Sequence, residues 1–361
     1  MKGLSEIGDI KSKKVIVRAG LNVPIENGAV KNNFRLKKLL PTLKTLTDKG
    51  AKVILIGHIG RSKEETLKPV SDELSKHIKI SFGESEIEKM VDGDIVMLEN
   101  LRQNEGETLN DEVFSKHLSS FGEIYVNEAF SVSHRAHSSI VGLPKLLPSY
   151  AGVQLQKEIE ELDKARNPVS PSIFILGGAK FETKEPLIEK FLEVYDTVFI
   201  GGALVNDFFK AKGYEVGKSR VSEKPANLDR YLDKVMIPSD VTVINNGEEN
   251  TKKPEEVLPE DKIVDIGPKT LEKLKKLISE AKFILLNGPL GPYEDGFCFY
   301  TEEVVKSIKE SSTHSVVGGG DTVASIAKLK IEDDISFVST GGGAMLGYLN
   351  KGTLPGIEAL K

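Results

Sequence analysis

The chain has 361 residues, of which 39% are hydrophobic and 29% charged, and its net charge is −5 from 49 basic and 54 acidic side chains. That length suits two larger domains, and the apolar share excludes a mainly disordered chain. No run approaches the ~18 apolar residues of a membrane span, the charge balance argues against a nucleic-acid surface, and the single cysteine, Cys298, excludes a disulfide framework or a multi-cysteine metal site.

The first residues, MKGLSEIGDIKSKK, carry charges and no apolar signal core, so no secretory export and a cytoplasmic location are expected. Val15-Ile16-Val17 then reads as a strand before the polar turn Arg18–Pro24. Arg35–Lys49 reads as a helix, with Leu36, Leu39, Leu40, Leu43 and Leu46 on one face. Val53–Ile56, Ile95–Leu98 and Ile124–Val126 are further short, continuous, β-branched runs, as expected of strands buried on both faces. Val153–Lys164 reads as a helix closed by Asn167-Pro168-Val169-Ser170-Pro171. Ile173–Leu176, Val198–Ile200, Val241–Ile244, Phe283–Leu286, Ser315–Val317 and Ser336–Val338 repeat the strand style. Strand–helix alternation over ~150 residues, twice, predicts two parallel-sheet α/β domains.

Two counts divide the chain. Only eight of the 49 basic residues are arginine, and five of these, Arg18, Arg35, Arg61, Arg102 and Arg135, lie in the first 150 positions. Arginine presents a planar fork to phosphate and carboxylate, whereas lysine is a flexible point charge. Ten of the 33 glycines form four tight clusters, at 177–178, 201–202, 318–320 and 341–343, each beside a strand candidate. Glycine lets backbone approach a ligand closely, and ligands of open parallel sheets bind beyond the strands' carboxyl ends. The second half therefore reads as a nucleotide site. Gly213-Tyr-Glu-Val-Gly217-Lys218-Ser219 is one residue short of a Walker loop and follows a helical stretch, so it is rejected as one. No G-x-G-x-x-G or H-E-x-x-H occurs.

Eleven segments, in order, resemble the phosphoglycerate kinase family. They are Arg18-Ala-Gly-Leu-Asn-Val-Pro24, Gly57-His-Ile-Gly-Arg61, Leu98-Glu-Asn-Leu-Arg102, Val126-Asn-Glu-Ala-Phe130, His134-Arg-Ala-His137, Leu176-Gly-Gly-Ala-Lys180, Gly217-Lys-Ser219, Asp265-Ile-Gly-Pro-Lys-Thr270, Asn287-Gly-Pro289, Gly318-Gly-Gly-Asp-Thr322 and Ser339-Thr-Gly-Gly-Gly-Ala344. The resemblance implies two Rossmann-like, three-layer α/β domains facing across a cleft. Residues 1–152 would bind phosphoglycerate, with a tail at about 350–361 packing back on them. Residues 153–167 would form an interdomain helix, and 168–349 would bind the nucleotide. It also implies a monomer that exchanges phosphate between 1,3-bisphosphoglycerate and Mg-ADP, giving 3-phosphoglycerate and Mg-ATP, with no nucleic-acid or membrane partner.

The resemblance assigns Arg35 and Lys180 as catalytic. Gly20, Leu21, Asn22, Arg35, His58, Ile59, Gly60, Arg61, Arg135 and Ser170 would line the substrate site. Gly178, Ala179, Lys180, Lys184, Gly202, Lys218, Asn287, Glu294, Gly319, Gly320, Asp321 and Thr322 would hold the nucleotide, with Asp321 linked to magnesium. Arg102 is read as structural, pairing with Glu99 or Glu105. Two departures stand out: Gly20 occupies a position where the family has aspartate, and Ser170 one where it has arginine. Arg166 is a candidate to compensate for Ser170. The departures keep open a non-catalytic or substrate-shifted homologue that still binds Mg-nucleotide.

Overall fold

The computed structural model describes residues 1–179, 181, 184–222 and 228–361. They form two compact units, Met1–Glu160 with Lys351–Lys361, and Glu161–Asn350.

In the first unit six parallel strands lie in the order Ser81–Phe82, Ile95–Met97, Lys52–Ile56, Lys14–Ala19, Ile124–Glu128, Ser149–Ala151. Val15, Val17, Val53, Leu55 and Met97 pack on one face against Leu36, Leu39, Leu43 and Leu46 of the helix Phe34–Asp48. Ile16, Ile54, Val96 and Tyr125, on the alternate positions, are equally buried. Cover on both faces is why these strands read as unbroken apolar runs. Glu128, at the end of its strand, accepts hydrogen bonds from the backbone N–H groups of Gln154 (2.9 Å) and Leu155 (3.1 Å). Its carboxylate thus holds the start of the helix Val153–Arg166, where the helix dipole favours negative charge. The C-terminal segment is tied down by Gly356, whose N–H donates to the Ser133 carbonyl at 2.8 Å.

In the second unit five parallel strands lie in the order Thr197–Ile200, Ser172–Leu176, Phe283–Asn287, His314–Gly318, Phe337–Val338. Val241–Asn245, expected in the same style, belongs instead to a separate antiparallel sheet between Glu248–Lys252 and Lys262–Ile266. The cause is the turn Asn246-Gly247, where both residues have positive φ (49° and 86°). An Asn-Gly pair in that conformation joins two antiparallel strands with the right twist.

Candidate functional site

In the first unit the expected substrate residues, and Arg102 with them, follow the carboxyl ends of four neighbouring strands. Asn22 comes after Lys14–Ala19, His58 to Arg61 after Lys52–Ile56, Arg102 after Ile95–Met97, and Arg135 after Ile124–Glu128. Asn22 ties two of these loops together. Its carbonyl accepts from Arg35 Nη1 at 2.6 Å, and its Oδ1 accepts from the Gly60 N–H at 3.0 Å. Leu21 is fully buried and Ile59 nearly so, so these two act through packing and backbone. Arg135 Nε donates to His134 Nε2 at 3.3 Å.

Arg102 is where the sequence reading fails. Glu99 accepts from Thr66 and from the Leu67 N–H, and Glu105 pairs with Lys63 at 2.6 Å, so neither carboxylate is Arg102's partner. Its Nη1 donates instead to the Gly60 carbonyl. Burial first, then Arg135 and Arg18, with Arg61 a smaller influence, lowers its pKa against the opposing pull of Glu107. Four arginines thus share one field. Their mutual repulsion is a cost that an anionic ligand would relieve. Buried Arg18 was also missed, although it opens the first motif.

Gly20 lies outside the left-handed region, and a Cβ built on it would meet only Ser131 Oγ, at 3.3 Å. Ser170 stands at the amino end of its own strand. It belongs to the second unit, and its hydroxyl donates to Asp196 at 3.1 Å just before the strand Ser172–Leu176. Five strand residues span roughly 17 Å, so Ser170 is at the far end of that strand from the Gly177-Gly178 turn. Arg166, the candidate to compensate, pairs with Asp163 at 3.6 Å.

In the second unit a cavity of about 430 Å³ opens beyond the strand ends. Gly178, Ala179, Gly202, Glu294 and Asp321 line it, as expected. Gly178 and Gly319 have positive φ (95° and 104°), a backbone available cheaply only to glycine, and each starts a sharp turn out of a strand. Gly320 opens the helix Gly320–Leu329, and Thr322 in its first turn has a buried hydroxyl with no partner among the described residues. Asn287 is buried at its strand end.

Lys184 is 7% exposed, and its ammonium donates to the Gly177 carbonyl. Burial pushes it down to about 8, opposed by the nearby Asp321 carboxylate. Lys218 is exposed and outside the cavity lining, where Arg220 and Lys262 are found instead. Lys180 lies outside the described residues. Asp265 and Asn206 also line the cavity and were not foreseen as site residues. Asp265 accepts from the Ile266 N–H at 2.8 Å, and burial raises its carboxyl to about 8. Asn206 donates to the Arg220 carbonyl at 2.8 Å and leaves its buried Oδ1 without a described partner. Asp265 stands in a quoted motif, while nothing local marks Asn206 apart from the helix around it.

The phosphoglycerate kinase family model matches residues 4–352. The phosphoglycerate kinase of Dictyoglomus turgidum is 40% identical, over 98% of this chain and 96% of its own length. That of a Chelativorans species is 39% identical, over 100% and 99%. Among solved structures, phosphoglycerate kinase from Pyrococcus horikoshii superposes with a TM-score of 0.86 at 32% identity, covering 100% of this chain and 98% of that one. The Coxiella burnetii enzyme gives 0.84 at 32% identity, covering 99% and 98%.

Proposed function

The chain belongs to the phosphoglycerate kinase family, phosphotransferases with a carboxyl acceptor, and from that premise we propose how its own residues carry the transfer. The observation that carries the proposal is the division of ligand chemistry. The first unit gathers guanidinium groups at its strand ends, and the second offers, among the described residues, glycine backbone, the buried Lys184 ammonium and a cavity lined by Asp265, Glu294, Asp295 and Asp321.

The reaction joins 1,3-bisphosphoglycerate and ADP to give 3-phosphoglycerate and ATP. A β-phosphate oxygen of ADP forms the new bond to phosphorus, and the acyl oxygen departs as a carboxylate. That leaving group needs no proton, and in reverse the carboxylate is already deprotonated at neutral pH. No general acid or base is therefore required, and catalysis reduces to positioning and charge stabilisation.

In this reading Arg61, Arg102, Arg135 and His58 hold the phosphate that is not transferred. Arg35 and Asn22 face the reacting carboxyl end, and Arg35, held at 2.6 Å by the Asn22 carbonyl, balances charge as the acyl oxygen departs. Lys184 and the N–H groups around Gly178 and Gly319 receive the nucleotide phosphates, and Glu294 takes the ribose. The resemblance gives Lys180 the moving phosphoryl group. Magnesium would enter as the Mg-nucleotide and neutralise the phosphate oxygens. Among the described residues no cluster of three or more His, Cys, Asp or Glu could hold a metal alone. A single Asp321 suits a cation that brings its own phosphate ligands, as magnesium does.

An assay of ATP-dependent phosphorylation over a panel of small acids tests the reading. 3-Phosphoglycerate should be the best acceptor, with glycerate and acetate far weaker. Equal use of glycerate would remove the arginine patch from the account.

A further inference from the structure

His58 is 2% exposed and stands among the cations Arg18, Arg102 and Arg135, with the His137 imidazole also near. Its shortest contact is with Arg18, whose Nη2 lies 2.8 Å from His58 Nδ1. A guanidinium can only donate. His58 Nδ1 must therefore be the acceptor, and the ring proton must sit on Nε2.

Arg18 has no freedom to offer anything else. It is fully buried, its Nε donates to Ser139 Oγ at 2.9 Å, and its Nη1 donates to the Ala19 carbonyl. Ser139 Oγ in turn donates to Glu107 Oε1 at 2.6 Å, and the Ser139 N–H donates to Glu107 Oε2 at 3.0 Å. Tyr125 closes the assembly by donating to the Ser139 carbonyl at 2.7 Å. Glu107, itself fully buried, supplies the negative charge that makes a buried guanidinium tolerable. His137 Nδ1 is 3.8 Å from Glu107 Oε1, so that carboxylate serves both.

We propose that Arg18 is a positioning residue, which fixes His58 as a neutral imidazole with its proton on Nε2 and so offers one N–H donor to the anionic group of the three-carbon acid. The proposal rests on the placement of His58 in the substrate patch. Its consequence is that His58 contributes a directed hydrogen bond and no charge, while the surrounding arginines supply the charge. Burial, then Arg18 and the other cations, holds the His58 pKa down to about 2, in keeping with a ring that never charges. A histidine acting as a cation would lose phosphate affinity as pH rises through its ordinary range; this one should not.

Nitrogen-15 spectra of histidine-labelled protein test the proposal without any activity measurement. In the unmodified chain His58 should show the Nε2–H tautomer, unchanged between about pH 5 and pH 8. An Nδ1–H ring or an imidazolium in that interval would overturn the proposal outright. Arg18→Met removes the donor, so His58 should become a tautomer mixture that titrates. It should also raise KM for 3-phosphoglycerate about five- to tenfold, the loss of one hydrogen bond, and leave KM for ATP unchanged. An unaltered His58 signal in that variant would refute the role of Arg18. Ser139→Ala, which removes the Nε acceptor, gives the same readout in weaker form if Arg18→Met does not fold. If the tautomer is as stated but 3-phosphoglycerate leaves the Nε2 signal unmoved, the placement of His58 in the substrate patch fails, separately from the lock itself.

Discussion

Lys184 should make nucleotide binding a proton-uptake reaction. Burial holds its pKa at about 8 in the folded chain, against 10.5 for a free lysine. At 1.36 kcal/mol per unit this disfavours the ammonium by about 3 kcal/mol in the ligand-free protein. The value is depressed on folding, so the penalty is fully present below about pH 8 and fades as pH rises toward the unfolded value. An anionic phosphate beside the Gly177-Gly178 turn restores the charged form. In the free protein Lys184 should be about one-tenth neutral at pH 7, half at pH 8 and nine-tenths at pH 9. Mg-ADP binding should recharge it and take up those fractions of a proton. Asp265, which lines the cavity and whose carboxyl burial also raises to about 8, adds an uptake of its own. The quantity to read is therefore a difference. Calorimetry at pH 9 in two buffers of unlike ionisation enthalpy should give close to one proton fewer for Lys184→Met than for the unmodified chain. Affinity should fall about tenfold or more with the lost charge-assisted contact. Equal proton uptake by both proteins would show that Lys184 does not meet the nucleotide.

Four further variants test the placement of the sites. Arg35→Ala should abolish turnover and leave Mg-ADP affinity within about twofold, since Arg35 and the nucleotide cavity belong to different units; a tenfold loss measured by calorimetry would contradict the assignment. Asp321→Ala should weaken Mg-ADP far more than metal-free ADP, because the carboxylate helps hold a hard cation, and equal losses would make its role structural. Gly20→Asp should be tolerated, since only Ser131 Oγ comes near, and should lower KM for 3-phosphoglycerate. Ser170→Arg should not lower it, since Ser170 is bonded to Asp196 at the far end of its strand, and a fall in KM would overturn that placement.

The parallel strands were legible because both faces are buried, which writes each one as a continuous apolar run. The antiparallel strand Glu248–Lys252 was not, because it is mostly exposed and polar, and only the Asn246-Gly247 pair announces it. Position in a motif singled out Asn22, His58 and Arg135, which the structure sets after the carboxyl ends of neighbouring strands, but motif order says nothing about which end of a strand a residue occupies. That is why nothing in the motif shows that Ser170 stands at the amino end of its strand. Arg102 was misread because a sequence neighbour, Glu99 or Glu105, seemed a sufficient partner. Each of those carboxylates has a closer claimant that arrives from a distant segment. Arg18 was left out of the site for another reason: it reads as the start of the polar turn after Val15–Val17, and its partners Ser139 and His58 are 121 and 40 residues away.

The central claim is that one chain both binds Mg-ADP and moves a phosphoryl group to it from an acyl phosphate. Following ATP formation from 1,3-bisphosphoglycerate and Mg-ADP, beside calorimetric binding of Mg-ADP to the same preparation, tests it most directly. ATP should appear at a rate proportional to protein concentration, should require magnesium, and should vanish in Arg35→Ala while that variant still binds Mg-ADP. Tight Mg-ADP binding by the unmodified chain with no ATP above the uncatalysed rate would contradict the account.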